Sequence, residues 1–469
     1  MNEQPVVSKK ENKWPYPSSK LVNPIRDRAD AGDPNRISKI IEDRLDENEI
    51  DVSVYEANIG PRVTQYLAKV LDGEFPSDTN TLKNEISLDL AAVSVRIVSS
   101  DIISNVVSVE VPNVKSAIVS LGKLLRSKDN LDTDRKLSFI LGKNTACKDI
   151  KCDLDSTLHL LMAGQTGSGK SVFYNNLLIN LLLKNSPSDL RFIIIDPKQV
   201  EFMPYKGIPH LITPVINDSE DAKLSMQWVT AEIDRRYKYL ANRWAKNIHA
   251  YNQTDPDEVM PSIVILCDEI SDLMMYDGKF FEDAFIKIAQ KGRAVGIHLI
   301  LATSRPSTDV ITDGMLENIN NKIGFTTAST VDSRRILGRK GAEDLLGQGD
   351  MLFHDSNNAV LQRIQVPYLT DDDVERVTSH LRGIRPPEYI EMSATAKNQS
   401  DNSVNTEDEL YLKVLKYVVE EQKAGTAMIQ KKFEIGYGRA SRIIELLEEN
   451  GVVGPADGAT PRKVYRDEF

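Results

Sequence analysis

The octapeptide Gly164-Gln165-Thr166-Gly167-Ser168-Gly169-Lys170-Ser171 constrains this chain more than any other segment. It fits G-x-x-x-x-G-K-[ST] and lies between an apolar run, Leu158 to Ala163, and a helical run, Val172 to Leu183. A strand, a glycine-rich turn and a helix start are the context that a phosphate-binding loop, or Walker A motif, requires. Glycine lets backbone N–H groups close on phosphate oxygens, and the helix N-terminus adds a favourable dipole. In such a loop Lys170 reaches the outer phosphates and Ser171 sets a hydroxyl on magnesium. The pattern predicts an enzyme that cleaves a nucleoside triphosphate.

Composition narrows the setting. A chain of 469 residues has room for about three domains. A hydrophobic share of 41% supports a sizeable core, and a net charge of −11 argues against an indiscriminate nucleic-acid coat while leaving room for a local basic groove. Three cysteines, Cys147, Cys152 and Cys267, make no disulfide framework and point to a reducing cytoplasm. Cys147 and Cys152 lack the His or Cys partners of a zinc site, and Cys267 ends an apolar run as a core residue. No apolar run approaches the ~18 residues of a membrane span. The start, MNEQPVVSKKENKW, has no apolar segment of a signal peptide. The expectation is a cytoplasmic chain without a transmembrane segment.

Residues 1–34 are polar, with prolines at 5, 15, 17, 24 and 34, and read as an extended arm. A small α+β domain over 35–126 follows. It has a helical pattern at Ile37–Leu45, strands at Ile50–Asn58, Val63–Leu67, Val93–Val98 and Val106–Val111, and a helix near Asn80–Ala92. Residues 127–145 link it to a motor domain of about 137–385, in which apolar strands at 158–163, 192–195, 263–267 and 298–302 alternate with helices such as 219–245 and 279–293. That alternation predicts a parallel sheet covered on both faces. Residues 386–406 are polar and read as a flexible linker. The tail, 407–469, shows helices at 407–424, 426–433 and 438–450, then two short strands around a Gly/Pro turn, which is a winged-helix pattern.

A second motif completes the nucleotide chemistry. The apolar run Ser262–Cys267 ends in Asp268-Glu269. Asp268 fits the magnesium shell, and Glu269 fits the base that orients and polarises the attacking water. A further strand ends in Ala302-Thr303-Ser304-Arg305-Pro306, where Thr303 or Ser304 could sense the γ-phosphate. Arg293 follows the helical run Phe280–Lys291. Local pattern gives it two roles, stabilising transition-state charge in a neighbouring subunit's site or compensating a helix C-terminal dipole. The purine pocket is not legible, so ATP is taken by analogy.

These residues resemble the FtsK/SpoIIIE DNA translocases. "LLMAGQTGSGKSVFYNNLL", "FIIIDPKQVEF", "GIPHLITPV", "RRYKYLA", "IVILCDEISDLMM", "IAQKGRAVGIHLILATSRPSTDVIT" and "DSRRILG…GAEDLLGQGDML" occur in the family's order over about 155–355. "VYEANIGPRVTQY" and "VEVPNVKSAIVSLGKLL" look like its α-domain, and "QKKFEIGYGRASRIIELLEENGVV" looks like its winged-helix γ-domain. The resemblance implies a RecA-like motor in a hexameric ring around double-stranded DNA. ATP and Mg2+ would sit between subunits, with Arg293 as a finger into the neighbour. It also implies roles in chromosome partition at cell division or in DNA transfer, and a recombinase or membrane-anchoring partner.

Three departures accompany the resemblance. The family's usual membrane-spanning N-terminus is missing, which favours a soluble or partner-tethered form. Ser304 stands where the family usually has glutamine. Leu316 and Thr330 stand where basic pore residues are common, while Arg305, Lys322 and Arg334 remain basic and are the expected phosphate contacts. In the tail, Arg439, Arg442 and Glu445 face outward from an amphipathic helix and suit base edges, with Gly438 replacing the family's asparagine. Lys431, Lys432, Arg462 and Lys463 suit phosphates. Residues 407–469 carry ten Lys/Arg against twelve Asp/Glu, so a protein-docking winged helix is the competing reading of this tail. For the whole chain, the alternative from another class is a protein-secretion motor of the type VII kind, which shares the ATPase fold. Such motors usually come in tandem and lack a γ-like tail. A nucleotide-gated DNA switch is a third reading, but Asp268, Glu269 and Arg293 form a fuller hydrolytic set than a switch needs.

Overall fold

The computed structural model describes residues 6–9, 13–72, 75–76, 79–99, 105–127, 130, 135–254, 258–356, 358–390, 392, 409–433, 440, 443–444, 446–448, 452–454 and 462–465. These fall in two compact units, 1–390 and 391–469.

The first unit opens with a small α+β layer. Helix α1 (Pro34–Asp46) starts where the Asp33 carboxylate accepts the N–H groups of Asn35 and Arg36, with proline in the first turn. Strands β1 (Asp51–Ile59) and β2 (Val63–Asp72), helix α2 (Asn80–Asp89), and strands β3 (Arg96–Ser99) and β4 (Val106–Pro112) follow. The sheet order is β1-β2-β4-β3, antiparallel throughout. Ile41, Leu45, Tyr66, Ile86 and Val109 form its core.

The part that carries the phosphate loop is built on one nine-stranded sheet. Its elements are β5 (Ser138–Asn144), β6 (Asp149–Asp153), β7 (Leu160–Ala163), α3 (Lys170–Leu182), β8 (Leu190–Ile195), α4 (Ser219–Asn242), β9 (Ser262–Cys267), α5 (Ile270–Lys291), β10 (Ile297–Thr303), β11 (Asn321–Phe325), α6 (Thr330–Leu337), β12 (Asp350–Asp355), β13 (Asn358–Gln365) and α7 (Asp371–Ile384). The strand order is β6-β5-β13-β12-β11-β7-β10-β9-β8. From β11 to β8 the strands are parallel. From β11 outward through β12, β13, β5 and β6 every pairing is antiparallel. The expected all-parallel sheet is therefore mixed. The hairpins escape a search for apolar runs because their strands mix in polar residues, such as Lys143 on β5 and Gln362 and Arg363 on β13. Strand β5 also occupies part of the stretch read as a link.

The polar N-terminal segment lies along the domain that carries the phosphate loop. Trp14 and Val22 are buried, the Asn23 N–H donates to Asp373, and Arg376 donates to the Leu21 carbonyl. Ser8–Lys9 pairs with Glu258–Val259.

In the second unit, α8 (Glu409–Glu421) and α9 (Thr426–Phe433) pack with Ile443, Ile444 and Leu447 of a further helical stretch. Val453 bridges to Val464, and Arg462–Lys463 pairs with Lys423–Ala424, so the wing gains a third short segment between α8 and α9.

Candidate nucleotide site

The phosphate loop leaves β7 at Ala163 and enters α3 at Lys170. Gly169 takes φ 117°, and a side chain there would stand 2.2 Å from the Gly349 nitrogen. Gly164 is pressed on Phe325, whose Cβ would lie 2.4 Å from an added Cβ. The loop is thus wedged between β11 and the segment before β12, and Gly349 N–H donates to the Ser168 carbonyl at 2.8 Å. Lys170 Nζ donates to the carbonyls of Gly164 and Gln165. Burial lowers the Lys170 pKa, while the charges of Asp268 and Glu269 raise it. The buried Ser168 hydroxyl has no hydrogen-bond partner among the described residues. An unspent donor and a folded-back lysine, both at a helix N-terminus, fit an incoming phosphate.

Asp268 and Glu269 follow β9, one strand beyond β10. The Tyr174 hydroxyl donates to the Cys267 carbonyl at 3.0 Å, tying α3 to the end of β9. The two carboxylates live in unlike surroundings. Burial pushes Asp268 up to about 6, and the nearby Glu201 adds to the rise while Lys170 opposes it. Ser171, half-buried in the first turn of α3, and Asp268 suit a magnesium ion, whose charge would restore the Asp268 carboxylate. Burial also works against the Glu269 charge. Hydrogen bonds from Lys198, Ser304, Ser271 and Thr303 prevail and hold it down at about 2. Glu269 takes a left-handed backbone, φ 56° and ψ 68°.

Thr303 and Ser304, expected near the γ-phosphate, both donate to Glu269. Lys198 also reaches Glu269, at 2.8 Å, from a turn in which Asp196 accepts the N–H groups of Gln199 and Phe202. Sequence reasoning gave Lys198 no role. The available signal was a basic residue just past the strand beside the one that carries Asp268-Glu269.

Arg293 is exposed in a short turn after α5 and makes no ion pair among the described residues. Buried Arg236, paired with Glu232 at 2.9 Å, donates to the Val295 carbonyl and fixes that turn. Arg305 and Arg334 are exposed beyond the C-terminal ends of β10 and β11. Lys322 is half-buried within β11, and burial lowers its pKa. Lys322 thus lies near the start of β11, whereas Arg305 and Arg334 lie past strand ends. Arg439, Arg442 and Glu445 lie outside the described residues. Lys431, Lys432 and Lys463 are exposed, and Arg462 pairs with Glu448.

The chain matches three family models, described as the FtsK/SpoIIIE family over residues 120–308, the FtsK alpha domain over 16–113 and the FtsK gamma domain over 405–467. It is 38% identical over 461 residues to a DNA translocase FtsK of Staphylococcus aureus, covering 96% of this chain and 58% of that one. It is 38% identical over 419 residues to the DNA translocase SftA of Bacillus subtilis, covering 88% and 44%. The chain thus spans about half the length of these curated relatives. Among solved structures, the pCW3 conjugation coupling protein TcpA, in its monomer form with ATPgS, aligns with a TM-score of 0.53 at 22% identity, over 75% of this chain and 99% of that one. The cytoplasmic domain of the type VII secretion ATPase EccC of Thermomonospora curvata aligns with a TM-score of 0.51 at 24% identity, over 59% and 36%. Both share this chain's fold over the aligned parts. With the motor and the segments on either side of it matched by models of one family, this chain belongs to the FtsK/SpoIIIE family.

Proposed function

We propose that this chain moves double-stranded DNA at the expense of ATP, as a ring of six copies with the duplex in its bore. The observation that carries this reading is the convergence of Lys170, Asp268 and Glu269 in a family whose curated relatives are named DNA translocases. The phosphate-loop N–H groups and Lys170 hold the triphosphate, Ser171 and Asp268 hold magnesium, and Glu269 takes a proton from the attacking water. Magnesium supplies charge neutralisation at the phosphates. Exposed Arg293 enters the neighbouring copy's site. Arg305, Lys322 and Arg334 grip DNA phosphates, and Arg439, Arg442 and Glu445 of the winged helix read an oriented sequence. The motor serves chromosome partition or DNA transfer, with a recombinase or a membrane-anchoring partner.

A secretion motor is not favoured, because the match to the gamma domain covers the tail. Two measurements test the proposal. Long duplex DNA should stimulate ATP hydrolysis where peptides do not, and ATP should drive displacement of a triplex-forming strand from the duplex. ATP turnover indifferent to duplex, with the triplex left in place, would overturn it.

A further inference from the structure

Glu269 is saturated. Its Oε1 accepts from the Thr303 hydroxyl at 2.8 Å, the Ser271 hydroxyl at 2.8 Å and the Ser304 N–H at 3.1 Å. Its Oε2 accepts from the Ser304 hydroxyl, from the same N–H at 3.2 Å and from Lys198 Nζ at 2.8 Å. A carboxylate has about four lone-pair sites, so none remains to orient a water. The group is 3% exposed, so its surroundings leave water little access to it as it stands. Helix capping does not explain the arrangement. Glu269 occupies the N-cap of α5, yet its side chain makes no cap hydrogen bond.

One member of the set is built to leave. Among the described residues Lys198 is the only cation touching Glu269, and its side chain is 46% exposed where Glu269 is 4%. It also lies within electrostatic reach of Lys170. A triphosphate seated at Lys170 presents several anionic oxygens to the same ammonium group. Loss of Lys198 leaves Oε2 with the two Ser304 donors and removes the charge that most favours the fixed pose.

We propose, on the reading that Glu269 is the base, that Lys198, Thr303 and Ser304 form a latch which holds Glu269 idle, and which a bound triphosphate loosens by drawing Lys198 away while Thr303 and Ser304 keep their hold. Thr303 and Ser304 are then positioning residues that act through Glu269.

Steady-state ATP hydrolysis by the full chain without DNA tests the latch. Ser304→Ala removes one charged hydrogen bond and should raise DNA-free kcat roughly tenfold, with KM for ATP nearly unchanged. Thr303→Val should move kcat in the same direction, and Ser304→Thr, which keeps the hydroxyl, should restore the parent rate. A residue of purely packing function would give no such rescue. Either Ser304→Ala or Thr303→Val decides the matter if the other misfolds. A kcat that stays level or falls overturns the latch, since the serine would then serve the productive pose or none. Glu269→Gln separates this from the parent reading. Full turnover in Glu269→Gln removes the base assignment itself, whereas lost turnover there with no rise in Ser304→Ala removes only the latch.

Discussion

Compare the two sides of the motor sheet. On the parallel side, Asp268 is buried beside β10 with no hydrogen bond to its carboxylate among the described residues, and burial keeps its pKa near 6. On the antiparallel side, four charges are equally buried and fully paired. Arg363 on β13 donates to both oxygens of Asp350, at 3.0 and 2.6 Å, and to Glu110 on β4 at 2.7 Å. Arg96 on β3 donates to the same Glu110 oxygen at 3.1 Å. Burial disfavours both charges, but the paired arginines bring Glu110 down and the paired carboxylates bring Arg363 up. A balanced set of two positive and two negative charges needs nothing from outside. An uncompensated carboxylate in a cleft does, and that is where a cation and a substrate belong.

The closed set is more than filler. It joins the small N-terminal layer to the segment 342–350, and that segment touches the phosphate loop through Gly349 and Ser168. Lys83 pairs with Asp344, and Arg62 donates to Gln348 and to the Leu346 carbonyl, both at 3.4 Å. One side of the sheet thus holds reactive groups, and the other holds the backing that keeps the loop in place.

Substitutions on the two sides should fail in different ways. The largest effect belongs to Glu269→Gln, which should lower kcat by about 10²- to 10⁴-fold while the chain still binds ATP. Lys170→Ala should already lose nucleotide binding, as read by fluorescent-nucleotide titration. Next comes Arg363→Ala, which strands Asp350 and Glu110. It should cost about 3–5 kcal/mol of stability in denaturant unfolding. Should Arg363→Ala leave the unfolding midpoint alone and abolish only turnover, the contrast between the sides would collapse.

Legibility in the sequence follows the same division. Lys170, Asp268 and Glu269 announce themselves because each sits in a short local pattern after a run of apolar residues on a strand buried on both faces. The ionic set does not, because Arg363 and Glu110 are 253 positions apart and stand on strands that mix polar with apolar residues. The N-terminal segment looked like a polar arm because its anchoring uses backbone groups and two isolated apolar residues, Trp14 and Val22, with no period to detect. Ser304 was legible as a polar residue near the phosphates. Its bond to Glu269 depends on the register of β10 against β9, in which Leu301 lies opposite Cys267, and no local pattern encodes that.

The smallest effect sharpens the comparison inside the site, because neighbouring carboxylates should respond to pH with opposite signs. Asp268 titrates near 6 in the fold against an ordinary 3.8. Its protonated form is favoured by folding, so its stabilising contribution is complete below pH 3.8 and disappears as pH rises through 6. Glu269 titrates near 2 against an ordinary 4.5, so its contribution is present above 4.5 and disappears as pH falls toward 2. In EDTA at pH 8, Asp268→Asn should therefore raise stability by about 2–3 kcal/mol, a gain that fades to nothing by pH 4. Glu269→Gln should lower stability at pH 8 and lose that penalty in acid. Urea unfolding at both pH values reads the two signs. If Asp268→Asn destabilised at pH 8 in EDTA, Asp268 would have a compensating partner in the folded chain, and the parallel side would be as closed as the antiparallel one.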